Sequence, residues 1–395
     1  LSSAYHVYPS LFARKLLRKL QYTFSITLYK TTSLSSDEIR MGCYRNFFAA
    51  VNLISGAEDA ASNFGRGYFH LSSDLLQPST NSMRKLAEQC DGLQGIMFHR
   101  AYGGGTGTGF ACSLLSALNE EYFKTPCIDL GIMPSLTMAC GPVEPYNALL
   151  SCEIPIEDVS LAMMMDNKAL MNVCGKKLAT YRPTFTNFNR IIAQTMSGLT
   201  ASFRFSGLSN MNICDLRTNL VPYPEAHFAL SAFAPFCVQE SLDRWAPTTG
   251  HLTDEVFSPA NQLISHNGEQ PIYLSCCVFY RGKTSVREVN ATLERMRRSG
   301  DLPLVDWCPT GFKVSARHLV LTVGLYRIGQ SGTSVVALHN STLFRDPLHN
   351  LVHAFNMLIE RRAFLHWFLA EGLEEDEFRQ ALEGIRKLED DYTQV

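Results

Sequence analysis

Short, mostly apolar runs alternate with longer stretches in which apolar residues recur every three or four positions, and this alternation organises the chain. Runs at Gly95–Phe98, Ile128–Met133 and Leu161–Met165, the last with Asp166-Asn167 at its carboxyl end, read as buried strands. Helical spacing follows the first of them, through Phe110–Leu118. Upstream, a turn-rich block Leu53–Gly67 opens a helix through Leu71–Leu76, and a second helix spans Met83–Cys90 with Leu86 inward and Gly92 ending it. The segment Arg182–Arg190, with Pro183 near a first turn, opens a long helix that Ile191, Ile192, Met196, Leu199 and Phe203 make apolar enough to be central.

Composition changes after that helix. Asn212–Leu220 reads as a short helix stopped by Pro222 and Pro224, and strand-like runs follow at Phe228–Phe233, Tyr273–Tyr280, Gly311–Val314 and Ser334–Leu338. From Phe344 the spacing is helical again: first Leu351, Phe355, Leu358 and Ile359, then Leu373, Phe378, Leu382, Ile385 and Leu388. Strands alternating with helices predict an α/β fold with a parallel sheet, whose ligands gather beyond the carboxyl ends of the strands. The predicted organisation is a Rossmann-like nucleotide-binding domain over 1–204 ending in the central helix, a mixed α/β domain over 205–342, and C-terminal helices over 343–395. No internal repeat or low-complexity segment interrupts it.

Between the first strand and its helix lies Gly103-Gly104-Gly105-Thr106-Gly107-Thr108-Gly109, five glycines and two hydroxyls in seven residues. Strand, glycine turn and helix together aim backbone N–H groups and a helix N-terminus at a phosphate, and Thr106 and Thr108 can add hydroxyl donors. A flexible linker is the bland alternative, but linkers are not flanked by buried elements. Phe110 stands where a Walker loop needs lysine, and no register satisfies the dinucleotide pattern GxGxxG.

Composition narrows the class. Residues are 46% hydrophobic and 18% charged with net charge −2, so there is no phosphate-neutralising field and a nucleic-acid partner is not expected. Runs of eighteen apolar residues are missing, so no membrane span is predicted. The 12 cysteines include no CxxC pair, which argues against zinc and against a disulfide framework and for reduced cytosolic thiols. Arg14, Lys15, Arg18, Lys19 and Lys30 precede the first acid, Asp37, in the manner of a mitochondrial transit peptide. Residues 371–395 carry nine Asp and Glu.

The glycine loop resembles the GGGTG[ST]G loop of the tubulin family. Val143-Glu144-Pro145-Tyr146-Asn147, Thr218–Pro224 and Val305-Asp306-Trp307-Cys308-Pro309-Thr310-Gly311-Phe312-Lys313 resemble further blocks of that family, and the similarity extends from about Asp37 to Val395. Three features resemble alpha rather than beta chains: Glu371-Gly372-Leu373-Glu374-Glu375, a retained loop between Lys313 and Asn340, and a carboxylate at Asp215 where beta chains carry lysine. The resemblance implies the tubulin fold, a bound GTP, pairing with beta-tubulin, polymerisation into microtubules, and a place in the cytoplasmic cytoskeleton. Motors and microtubule-associated proteins would meet the C-terminal helices.

Carried over position by position, Gly103, Gly104, Gly105, Thr106, Gly107 and Thr108 would cradle the phosphates, and Ala60, Ala61 and Ser62 would lie by the terminal ones. Glu144 would bond the ribose, Asn167 and Asn189 would read the guanine edge, and Phe185 would stack on the base. Amides can donate and accept toward guanine, and an aromatic face stacks on any base. Asp215 would reach across to the next subunit and position the water that attacks its GTP, making hydrolysis an interface event while the chain's own GTP is structural.

Departures fall around the same site. Phe185 replaces tyrosine, Ala101 serine, Ser62 asparagine and Cys140 threonine, and each of the last three weakens a polar contact near the nucleotide. The family's first strand and its Gly-Gln-Ala-Gly loop have no counterpart, and an ungapped register puts Lys30 and Thr32 where that family has Asp and a magnesium-associated Glu. Magnesium binding is therefore expected to be weak, with no metal ligand assigned. The disordered acidic tail and terminal tyrosine of alpha chains have no counterpart, and the acetylated lysine would fall at or before Leu1. Arg244, beside Trp245, takes the place of a histidine in the family's lateral loop. Two further readings stay open: a degenerate, polymerisation-incompetent paralogue or fragment, and a metabolic Rossmann-type enzyme for which His99 is the nearest catalytic candidate.

Overall fold

The computed structural model describes residues 27–28, 39–42, 45–135, 137–153, 158–205, 211–238, 240, 247–268, 270–282, 284–300, 302–308, 311–317 and 331–394. Two short strands, β1 (Thr27–Leu28) and β2 (Leu53–Ile54), pair in parallel. The main sheet has seven strands: β3 (Ile96–Ala101), β4 (Cys127–Met133), β5 (Leu161–Asp166), β6 (Phe228–Ala234), β7 (Tyr273–Gly282), β8 (Phe312–Arg317) and β9 (Thr333–Ser341). Its order is β3-β4-β5-β6-β9-β7-β8. Pairing is parallel from β3 through β6, antiparallel on both sides of β9, and parallel again between β7 and β8.

The apolar runs form these strands because both faces of the sheet are covered, which removes the need for an alternating polar side. On β5, Ala162 and Met164 pack to one face, and Leu161, Met163 and Met165 to the other. One face carries α1 (Ser72–Glu88), α2 (Ala111–Glu121) and α3 (Glu144–Glu153). Over α3 lie the C-terminal helices α9 (Arg345–Ile359), α10 (Leu365–Ala370) and α11 (Glu375–Gln394). The other face carries α4 (Asn167–Lys176), the long α5 (Phe185–Arg204) and α6 (Ile213–Leu220). Two more helices, α7 (Thr249–Val256) and α8 (Val286–Ser299), cover the β6-β9-β7 region.

The structure alters the expected helices in one place. The helices expected over 71–76 and 83–90 are one: a π-helical turn at Arg66–Leu71 runs into α1, which continues through Pro78. Proline removes a hydrogen bond and usually breaks a helix, but Leu71, Leu75 and Met83 are buried along one side and hold it on the sheet. Met83, not the half-buried Leu86, is the inward residue of its second half. Across the boundary placed at 205 the sheet is continuous, because β6 pairs with β5 on one edge and β9 on the other.

A candidate nucleotide site at the glycine loop

The glycine loop leaves the carboxyl end of β3 and tightens into a π-helical turn, Thr106–Phe110, that opens α2. The turn at Arg66–Leu71 opens α1 in the same way, and the two turns pack against each other. Single π-helical turns inside α-helices concentrate at functional sites. Here their meeting depends on missing side chains. A Cβ on Gly105 would lie 2.3 Å from the Asn63 carbonyl oxygen, and one on Gly109 would lie 2.0 Å from that of Phe64. Gly104 differs, since a Cβ there would meet nothing within 4 Å. The space on the side-chain side of Gly104 is therefore open, beside a helix N-terminus of the kind that attracts phosphates.

Asn147 joins the two loops. Its Nδ2 donates to the carbonyls of Ser62, 2.7 Å away, and Gly103, 2.9 Å away, and its Oδ1 accepts from the Phe64 N–H at 3.0 Å. This clamp holds Ala61 and Ser62 in the left-handed region, with φ of 48° and 55°. Ala60 is buried just before them. Three residues upstream on α3, the half-exposed Glu144 accepts from the Cys140 N–H at 2.8 Å. Partial burial pushes the Glu144 carboxyl up, against the opposite pull of the Cys140 and Gly141 amides. A Cβ on Gly103 would come 3.3 Å from the Glu144 carboxyl carbon, so Glu144 stands beside the first loop glycine.

Thr108 does not supply the free donor expected of it. It is buried, and its hydroxyl donates to the Gly104 carbonyl at 2.7 Å, so it shapes the loop from within. Thr106 and Gly107 are partly exposed. Asn167 begins α4 directly after Asp166, whose side chain caps that helix by accepting from the Lys168 N–H at 3.1 Å. Asn189 is buried just past the first turn of α5, and Phe185 starts that helix 53% exposed, its ring edge-on to Phe188 at 5.7 Å. The helices α4 and α5 pack on one another. An exposed aromatic face at a helix start is available for stacking, as the resemblance implies.

Asp215 lies at the other end of the sheet. A Cβ on Gly95, at the entry of β3, would meet the Ile213 side chain at 2.6 Å, which places the start of α6 at the amino end of that strand. The glycine loop leaves the carboxyl end, and six residues of strand span roughly 17–20 Å. Asp215 is also engaged locally: its Oδ2 accepts from the Asn212 N–H at 2.9 Å and closes a capping box with Asn212. His99 is partly exposed on β3, and desolvation lowers its pKa to about 4, so its ring is neutral at pH 7.

A buried cluster under the loop was not anticipated. Arg100 Nε donates to Asp129 Oδ2 at 2.6 Å, and both side chains are almost fully enclosed, at 1% and 0% exposure. Arg100 also donates to Ser151 Oγ and the Tyr102 hydroxyl, and Tyr102 donates in turn to Asp129 Oδ2. Burial works against the charge on Arg100, but Asp129 outweighs it and holds the guanidinium protonated. The available signal was Asp129 inside one apolar strand run and Arg100 two residues past the end of its neighbour, since lone charges are costly to bury.

A glycine turn at the carboxyl edge of a parallel half-sheet, closed by helices on both faces, defines a nucleotide-binding α/β protein. Residues 25–175 match the Tubulin/FtsZ family, GTPase domain, and residues 224–353 match the Tubulin C-terminal domain. The chain belongs to the tubulin superfamily, and the first match implies that it binds GTP. The glycine loop, Glu144 and Asn167 fall inside that match, whereas Phe185, Asn189 and Asp215 fall between the two. Among the described residues no group of three or more His, Cys, Asp or Glu could hold a metal ion. Nor is any helix there long and apolar enough to cross a membrane. The proposed magnesium-side positions Lys30 and Thr32, and the lateral-loop pair Arg244 and Trp245, lie outside the described residues.

Proposed function

We propose that this chain is an alpha-tubulin-like subunit that keeps a GTP at the glycine loop, pairs with a beta-tubulin chain, and assembles with it into the microtubule lattice of the cytoplasm. The open space at Gly104, at the mouth of a helix and next to the Gly103 that Glu144 flanks, is the observation that carries the nucleotide assignment. Amides of Gly103 to Thr106 donate to the phosphates, and Glu144 accepts from a ribose hydroxyl. Phe185 stacks on the base, with Asn167 and Asn189 at its edge, and Ala60, Ala61, Ser62 and Cys140 border the pocket. No step is assigned to magnesium.

The polymer assignment draws on Asp215. Its separation from the glycine loop leaves no way for one chain to bring the two together, whereas a head-to-tail neighbour does so by a heterologous contact. In that contact Asp215 orients water toward the partner's GTP, its side-chain oxygens accepting a hydrogen bond from that water. The C-terminal helices face outward for motors and associated proteins. Nucleotide extracted from the purified complex tests the reading: one retained GTP per chain is expected, and a nucleotide-free complex refutes it. A second reading, a paralogue that does not polymerise, draws on the capping bond that occupies one oxygen of Asp215. Sedimentation with beta-tubulin in the presence of GTP separates the two.

A further inference from the structure

The helix that carries Glu144 and Asn147 also carries Ser151, at helical spacing of three and seven residues, so all three share one face. That face meets β3 and the glycine loop. Glu144 stands beside Gly103, Asn147 donates to the Gly103 carbonyl at 2.9 Å, and Ser151 accepts from Arg100 at 2.7 Å. Arg100 uses the rest of its fork on Asp129 Oδ2, the Tyr102 hydroxyl at 2.8 Å and Cys112 Sγ at 3.2 Å, the last on α2. The guanidinium thus touches β3, β4, α2 and α3 at once.

Tyr102 carries the arrangement into the loop, because Gly103 follows it directly. Its ring lies under the guanidinium carbon at 4.3 Å and fills a space that exists because position 131 has no side chain. A Cβ on Gly131 would come within 2.3 Å of that ring. The Tyr102 N–H extends the strand ladder to the Ile132 carbonyl at 3.0 Å. Backbone and side chain together leave the strand one direction in which to exit.

We infer that Arg100 is a positioning residue for the nucleotide site, setting the loop exit through Tyr102 and the seating of α3, with Glu144 and Asn147, through Ser151. The inference rests on the GTP-binding reading above. A buried ion pair is a poor source of stability, since apolar replacements of similar volume are often neutral or better. What the planar fork supplies is fixed geometry among several partners.

The test is GTP affinity of the full chain set against its thermal stability. Replacing both charges, Arg100→Met with Asp129→Leu, leaves no unpaired ion and is expected to keep the thermal midpoint while weakening GTP about tenfold or more, as a misplaced site does. Ser151→Ala cuts the tie from Arg100 to α3, together with a 3.6 Å contact to Cys112 Sγ, and is expected to weaken GTP by about threefold with the fold intact. Should the double variant fail to fold, Ser151→Ala and Arg100→Lys, which keeps the charge without the fork, decide the matter. A folded double variant or Ser151→Ala that binds GTP within about twofold of the parent overturns the inference. If the parent itself binds no GTP, the nucleotide reading fails instead and takes this inference with it.

Discussion

Gly109 passes beneath Phe64 so closely that a Cβ on it would lie 2.0 Å from the Phe64 carbonyl oxygen. The obstructing atom is backbone, so it cannot rotate away. Gly109→Ala is expected to cost about 1–3 kcal/mol or more by prising apart the starts of α1 and α2. Gly104→Ala meets open space and should change stability by less than about 1 kcal/mol. It should still weaken GTP binding, because the methyl enters the proposed cradle. Chemical denaturation and nucleotide titration on the two variants separate packing from binding.

Asn147 satisfies three backbone groups on two loops at once. Asn147→Ala leaves the Phe64 N–H and two carbonyls to find other partners, at a cost of roughly 2–4 kcal/mol. Asn147→Asp keeps the acceptor for Phe64 but turns repulsive lone pairs toward Ser62 and Gly103, so it should be no better. Proteolysis between residues 58 and 65 is expected to rise in both variants, and denaturation curves matching the parent would refute the clamp.

Asp215 separates capping from chemistry by substitution. Asp215→Asn keeps an oxygen for the Asn212 N–H and should hold stability within about 0.5 kcal/mol, whereas Asp215→Ala should lose about 1 kcal/mol with the cap. On the proposed role, both slow GTP turnover in copolymers with beta-tubulin. Asp215→Glu lengthens the arm and should speed turnover, by up to about a hundredfold if reach is what limits it. Phosphate release that is equal in the parent and in Asp215→Ala copolymers removes Asp215 from catalysis.

Two buried histidines set an acid limit. Burial lowers His339 to about 3 and His227 to about 4. In the folded chain His339 Nε2 donates to Gln262 Oε1 at 2.7 Å, and its Nδ1 accepts from Ser341 Oγ at 3.1 Å. Unfolded histidine takes up a proton near pH 6.5, and these two cannot until the pH is far lower. Their contribution is therefore complete above about pH 6.5 and is lost as pH falls toward 4, by about 1.4 kcal/mol per pH unit for each ring. Urea midpoints between pH 7 and pH 5 should show this slope, and His339→Gln should flatten it.

The order of strands and helices was legible from the sequence because burial on both faces leaves mostly apolar runs, as at Leu161–Met165. The glycine loop was legible too, since seven adjacent residues hold its whole signal. Local capping was partly visible, because Asn212 and Asp215 have the spacing of a capping box. The union of α1 across Pro78 was hidden, because a proline's local cost is readable and the burial of Leu75 and Met83 that offsets it is not. What only the tertiary structure decided is who meets whom across the sheet. Arg100 and Asp129 are 29 residues apart, and Asn147 and Ser62 are 85 apart. Secondary structure leaves its trace in neighbouring residues, whereas such pairs are fixed only when strands register and helices settle on them, so no local pattern records them.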